Sequence, residues 1–273
     1  MGRIVVDSCC DVTEELKEKY NIASVPLTIT LGDRHIVDDD ALDLGALLRE
    51  MRAYTGKVGS AAPAPGQYED VFREAGECYA VTLSSNLSGS HQSARIGAEL
   101  SGNGDVHVFD SKSASAGEVL LAVRIGEMLR AGLQRAAIVP AVERLIKQMK
   151  TYFVLESLDN LVKNGRLHKI TAKLISVIGI RPIMGSDGDG NIAFFSHARG
   201  EKQIVEKLAN TVEESGRETE DACMVIAHCN NPRLAEKLRD VIRSRYRFRD
   251  ILIVPTRGIS TLYANDKGII IAY

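Results

Sequence analysis

Residues 82–94, TLSSNLSGSHQSA, set five serines and a threonine around one glycine. They lie where an apolar stretch, Cys78 to Leu83, hands over to a helical pattern, Ser90 to Leu100. The first N–H groups of a helix have no partners within it, and a serine oxygen can accept from them, but one serine is enough for that. Gly89 lets the backbone come close to a guest, so the run also suits an anion received at the helix start. A second chemistry uses Ser88 as a nucleophile with His91, three residues along, as its base. The hydrolase elbow needs glycine two before and two after the serine, and those places hold Asn86 and Ser90. The hydrolase reading therefore rests on the nearness of Ser88 and His91 alone.

Other chemistries find less support. Asp187, Asp189 and Asn191 alternate as in a calcium loop, but the sixth position is Ile192 and no glutamate occupies the twelfth, so residues 186–191 read as a hairpin turn. Neither a Walker A sequence nor GxGxxG is present, which leaves nucleotide sites of those two types unsupported. The five cysteines form no CxxC pair and are odd in number, which fits buried free thiols in a reducing compartment. His228 and Cys229 are adjacent without further ligands at zinc-site spacing, and no metal is expected. Asp38, Asp39 and Asp40 read as a solvated acidic turn. Arg166 follows a glycine at a helix end, where a cation meets the helix dipole favourably, and by itself reads as a surface arginine.

These residues need a scaffold, and composition and pattern describe one. The chain has 273 residues, 45% of them hydrophobic and 26% charged, with a net charge of -2. That is an ordinary soluble globular balance, with no electrostatic reason to expect nucleic acid. The opening MGRIVVDSCCD meets an aspartate after only three apolar residues, unlike a signal peptide or a membrane span. No later run approaches the roughly 18 apolar residues a span needs, so a cytoplasmic location is expected.

Strand and helix patterns alternate throughout, as in α/β proteins. Strands are predicted at Arg3 to Val6, Ser24 to Leu31, Cys78 to Leu83 and Val106 to Phe109, with helices at Asp11 or Thr13 to Tyr20, Asp43 to Arg52 and Pro65 to Ala75. Gly56 to Gly66 reads as a loop of small residues and proline. Helices Ala114 to Ala131 and Arg135 to Lys150 follow, then a strand Thr151 to Leu155, a short helix from Ser157 to Gly165 and a helix Leu167 to Ile178. A hairpin and two helix-strand units lead to a last strand, Ile269 to Tyr273. Three strands end in small polar pairs, Asp7-Ser8, Ser84-Ser85 and Asp110-Ser111, and ligands of open parallel sheets bind at that edge. The length and the change of pattern near residue 151 suggest two α/β domains, 1–150 and 151–273.

VVDSCCDV at the start, VPLTI at 25–29, the loop at 57–66, LSSNLSGSHQSA at 83–94, VFDSKSASAGE at 108–118 and LESLDNLVKNGRL at 155–167 resemble, in that order, the DegV family. The resemblance covers essentially the whole chain. It implies two α/β domains with a long-chain fatty acid buried between them as ligand, no other cofactor, and a non-catalytic role as the acyl-carrying partner of a bacterial fatty acid kinase. Loading and releasing a lipid would involve transient contact with a membrane surface, although no strongly basic amphipathic helix marks one.

The family's carboxylate contacts fall by motif on Ser60, in Ser60-Ala61-Ala62-Pro63 where the family has Thr-Ser-Gln-Pro, and on Ser88 with Gly89. Arg166 matches the family's Gly-Arg element near the domain interface. Asp7, Ser8 and Ser90 are candidate accessory residues. Many members carry a histidine before Gly-Pro-Gly ahead of the last strand, whereas this chain has LYANDKGIII, in which Tyr263 could supply a phenol hydroxyl instead. Against the carrier stand the enzyme readings, a hydrolase using Ser88 and His91 or a kinase-like activity related by fold.

Overall fold

A computed structural model describes residues 2–167 and 179–273, so the predicted helix Leu167 to Ile178 lies, beyond Leu167, outside the described residues. The first half contains β1 (Arg3–Asp7), α1 (Glu14–Tyr20), β2 (Ile22–Val25), β3 (Thr28–Leu31), β4 (Arg34–Val37), α2 (Leu44–Ala53), β5 (Val58–Ala61), α3 (Pro65–Arg73), β6 (Cys78–Thr82), α4 (Ser90–Ser101), β7 (Val106–Asp110), α5 (Ala116–Arg130) and α6 (Arg135–Gln148). The second contains β8 (Thr151–Val154), α7 (Asp159–Lys163), β9 (Ile180–Ser186), β10 (Ile192–Arg199), α8 (Gly200–Glu214), β11 (Cys223–His228), α9 (Pro232–Arg245), β12 (Asp250–Pro255), α10 (Gly258–Ala264) and β13 (Ile269–Ala272).

Three sheets form among the described residues. A parallel sheet has the order β2-β1-β6-β7, a mixed sheet β10-β9-β8-β13-β11-β12, and a small antiparallel sheet β4-β3-β5. The central parallel strands β1 and β6 are buried on both faces, which is why they read as nearly unbroken apolar runs. Thr13, rather than Asp11, caps α1, its hydroxyl accepting from Leu16 N–H at 3.3 Å. Apolar α5 lies between the two large sheets: Val119, Leu120 and Ile125 share one core with Ile4, Val6 and Val81 on one side and Val225, Ala227 and Ala272 on the other.

Two sequence expectations are corrected. The single strand Ser24 to Leu31 is two, β2 in the parallel sheet and β3 in the antiparallel one. The break falls at Val25-Pro26, because proline has no N–H to give a ladder. The small-residue loop at 56–66 contains β5, which pairs with β3 through Ser60 opposite Ile29. Strand β4 and helix α10 carry too little periodicity to have been read from sequence.

Candidate functional site

A cavity of about 110 Å³ opens between the halves, with wall residues from Cys9 to Ile270. Leu27, Leu83 and Leu87 from the first half face Phe153, Leu155 and Ile270 from the second, so most of the wall is apolar. Ser60, Ser88, Arg166 and Tyr263 add polar groups to it.

These polar groups are connected. Ser60, on β5, and Tyr263, on α10, share a hydrogen bond of 2.8 Å between their hydroxyls. The guanidinium of Arg166 sits 5.9 Å from the centre of the Tyr263 ring. It donates through Nε to the Leu87 carbonyl at 3.2 Å and through a terminal nitrogen to the Asn164 carbonyl at 2.8 Å. Arg166 is thus a half-buried brace, not a surface cation: the glycine-arginine turn after α7 aims it inward. Ser88 stands at the start of α4, its hydroxyl donating to Ser90 Oγ and accepting from Ser90 N–H, each at 3.2 Å.

The other expected residues act at one remove. Asp7 and Ser8 are buried and do not reach the cavity. Asp7 accepts from the N–H groups of Cys9 at 3.0 Å and Leu83 at 2.8 Å, and Ser8 Oγ accepts from Leu27 N–H at 3.0 Å. All three of those partners are wall residues, so the polar pair ending β1 fixes the wall's backbone. Burial pushes the Asp7 carboxyl up to about 6. Ser90 is buried behind Ser88. Gly89 precedes α4 with φ -74°, open to any residue, and a Cβ there would meet only Ala62 at an ordinary 3.6 Å. Its N–H has no protein acceptor among the described residues.

Ser88 and His91 are not brought into hydrogen-bond contact. His91 Nδ1 lies 3.3 Å from Thr82 Oγ1, and burial holds the imidazole below its ordinary pKa. Other serines of the run serve the fold. Ser84 Oγ donates to Gly190 O at 2.9 Å and Asn86 Nδ2 to Asp189 O at 2.9 Å, docking the 186–191 turn onto the serine run. Gly190 is required there, since its φ is +93° and a Cβ would fall 2.3 Å from Ser84 Oγ.

The acidic turn is also corrected. Asp38 is only 1% exposed, and its carboxylate accepts from Gly258 and Ile259 N–H, both at 2.9 Å. It therefore anchors the start of α10, the helix that carries Tyr263. Sequence reasoning missed two asparagines of LDNLVKNGRL as well. Asn160 Nδ2 donates to Leu262 O at 2.8 Å and Asn164 Nδ2 to Val58 O at 3.0 Å. One binds α10 and the other β5, so this segment holds together the elements that carry Tyr263 and Ser60. Asparagine on a short helix beside a glycine looks like an ordinary cap, and only the fold shows its long-range partners. Among the described residues no group of three or more His, Cys, Asp or Glu side chains could hold a metal, and no helix is long and apolar enough to cross a membrane.

Known proteins share this fold along nearly their whole length. A crystal structure of a DegV family protein from Ruminococcus gnavus, refined with vaccenic acid, superposes with a TM-score of 0.95 at 38% identity, covering 99% of each chain. The Streptococcus pneumoniae fatty acid kinase B3 protein, loaded with linoleic acid, superposes with a TM-score of 0.91 at 31% identity, covering 99% of this chain and 98% of that one. A DegV domain-containing protein of Streptococcus pyogenes serotype M1 is 32% identical over 99% of this chain and 98% of its own length. The family model described as "Uncharacterised protein, DegV family" matches residues 2–272, and the chain belongs to the DegV family.

Proposed function

We propose that this protein binds a long-chain fatty acid in the cavity between its halves and presents the carboxyl group to a fatty acid kinase. The observation that carries the reading is the cavity itself, an apolar chamber with hydroxyls and a guanidinium gathered on its wall. The hydroxyls of Ser60 and Ser88 hold the carboxylate, with the Gly89 N–H as a further donor, while Tyr263 and Arg166 orient them. The fatty acids held by the two solved relatives, and the kinase named for one of them, support the ligand and the partner.

The tail supplies most of the affinity. Burying about 16 carbons at about 0.8 kcal/mol per CH₂ gives roughly 13 kcal/mol before ordering costs reduce it. The head-group contacts chiefly set orientation, since a neutral hydrogen bond nets only about 1 kcal/mol. In this reading the first domain, 1–150, supplies the carboxylate loops and the second, 151–273, covers the acyl chain. The protein works in the cytoplasm without catalysing a reaction, because the kinase brings the nucleotide. A hydrolase reading gains nothing from Ser88, whose hydroxyl meets Ser90 and not a base.

The test is organic extraction and mass spectrometry of protein purified without added lipid. The expected result is one fatty acid per chain, or stoichiometric uptake of added fatty acid by an empty protein. A protein that arrives empty and refuses every added acid in a binding titration would overturn the proposal.

A further inference from the structure

Behind the wall at Ser88 lies a buried polar cluster that the cavity does not reach. Glu118, in the first turn of α5, is 0% exposed, and neither of its carboxyl oxygens has a hydrogen-bond partner among the described residues. Asp7 lies beside it, also fully buried, and Ser90 adjoins Asp7. Tyr68, on α3, brings a buried hydroxyl without a partner close to Ser90.

An ionised carboxylate accepts hydrogen bonds and donates none. Two ionised carboxyl groups side by side would therefore repel one another and leave Glu118 charged in the buried interior with no cation to pair it. A proton on Glu118 removes both penalties, because the acid form has an O–H to donate and its neighbour Asp7 can accept it. Asp7, which already accepts from the N–H groups of Cys9 and Leu83, then has the Glu118 O–H to accept and lies close to the Ser90 hydroxyl.

We propose that Glu118 and Asp7 share one proton and serve as positioning residues for Ser88: Asp7 draws the Ser90 hydroxyl inward, and the Ser88 hydroxyl is left to turn toward the ligand's head group. The inference rests on the fatty-acid reading above. Burial pushes the Glu118 carboxyl well above its ordinary range, in the direction the geometry requires. The titratable groups facing the pair are Cys9, Cys10 and Asp11 from the segment after β1 and Tyr68 from α3, while α4 presents the uncharged Ser90. No cation is among the groups acting most strongly on either carboxyl. A second negative charge behind Ser88 would oppose a carboxylate in front of it, so ionisation of Glu118 should weaken head-group binding.

Two measurements test this. Infrared spectra of the wild-type protein labelled with ¹³C-carboxyl glutamate should retain one protonated-carboxyl band at about pH 7, where free glutamate is ionised. Complete ionisation of the glutamates at that pH would overturn the proposal, and this measurement needs no variant. In parallel, oleate retention by the wild type should fall severalfold as the pH is raised from neutral through the alkaline range until Glu118 ionises, whereas Glu118→Gln, which donates a hydrogen bond without titrating, should hold oleate evenly across the same range. Wild-type retention that is flat, or a variant that falls as steeply as the wild type, would overturn the positioning role alone. Failure of the wild type to hold any fatty acid would overturn the functional reading and this inference with it.

Discussion

Tyr263→Phe removes one oxygen and keeps the ring. The lost group is the partner of Ser60 Oγ at 2.8 Å, in a half-buried setting where water could replace it only in part. The ring still fills its place beside Arg166, 5.9 Å from the guanidinium, so packing changes little. The expected cost to binding is then that of a neutral hydrogen bond orienting the Ser60 hydroxyl, about 1 kcal/mol or about fivefold in Kd. Ser60→Ala should cost a similar or larger amount, because it deletes the hydroxyl assigned to the ligand itself. Once Ser60 is alanine, the phenol has no hydroxyl left to orient, and Tyr263→Phe should add almost nothing. A double-mutant cycle on fatty-acid affinity, measured by competition with a fluorescent fatty acid, should therefore return a coupling of about 1 kcal/mol. Additive effects of the two substitutions would refute the argument that Tyr263 acts through Ser60.

Ser88→Ala should shorten retention of bound fatty acid severalfold, with no ester turnover to lose; turnover of a chromogenic ester by the wild type that vanishes in the variant would point to a hydrolase. Asp38→Ala leaves the buried N–H groups of Gly258 and Ile259 without their acceptor and should destabilise the fold by about 2–4 kcal/mol in urea unfolding. Burial raises Asp7 from 3.8 to about 6 and Asp11 from 3.8 to about 7, so the folded chain holds these protons more tightly than the unfolded one. Stability should therefore rise as pH falls from about 7 toward 4, in proportion to the extra protons bound, and melting temperature against pH reads the slope directly.

Much of this molecule was legible because its sequence patterns are local. The buried strands β1 and β6, the long helix α5 and the 186–191 turn declare themselves within a few residues. The polar wall was legible differently: resemblance pointed to Ser60, Ser88 and Arg166, while Tyr263 was offered for a missing histidine, and the fold gathers all four around one cavity. What escaped depends on contacts far apart in sequence. Asp38 looks solvated in the run DDD until α10, some 220 residues later, is brought against it. Asn160 and Asn164 look like ordinary helix-end residues until their partners are known. Strand β5 hides in Val-Gly-Ser-Ala, where pairing with β3 overrides weak strand propensity. Burial of Glu118 was equally invisible, since a glutamate in a first helical turn ordinarily faces water and favours the dipole.

The last described strand, β13, lies inside the six-stranded sheet between β8 and β11, and its residue Ile270 is part of the cavity wall. During synthesis the parallel sheet, which needs nothing beyond Asp110, can assemble early, but the larger sheet remains two unjoined pieces until residues 269–272 have left the ribosome. A nascent chain thus has no closed lipid chamber to fill. In the proposed reading, lipid loading must wait for β13, and deletion of residues 269–272 would remove the strand that holds the two pieces of the sheet together.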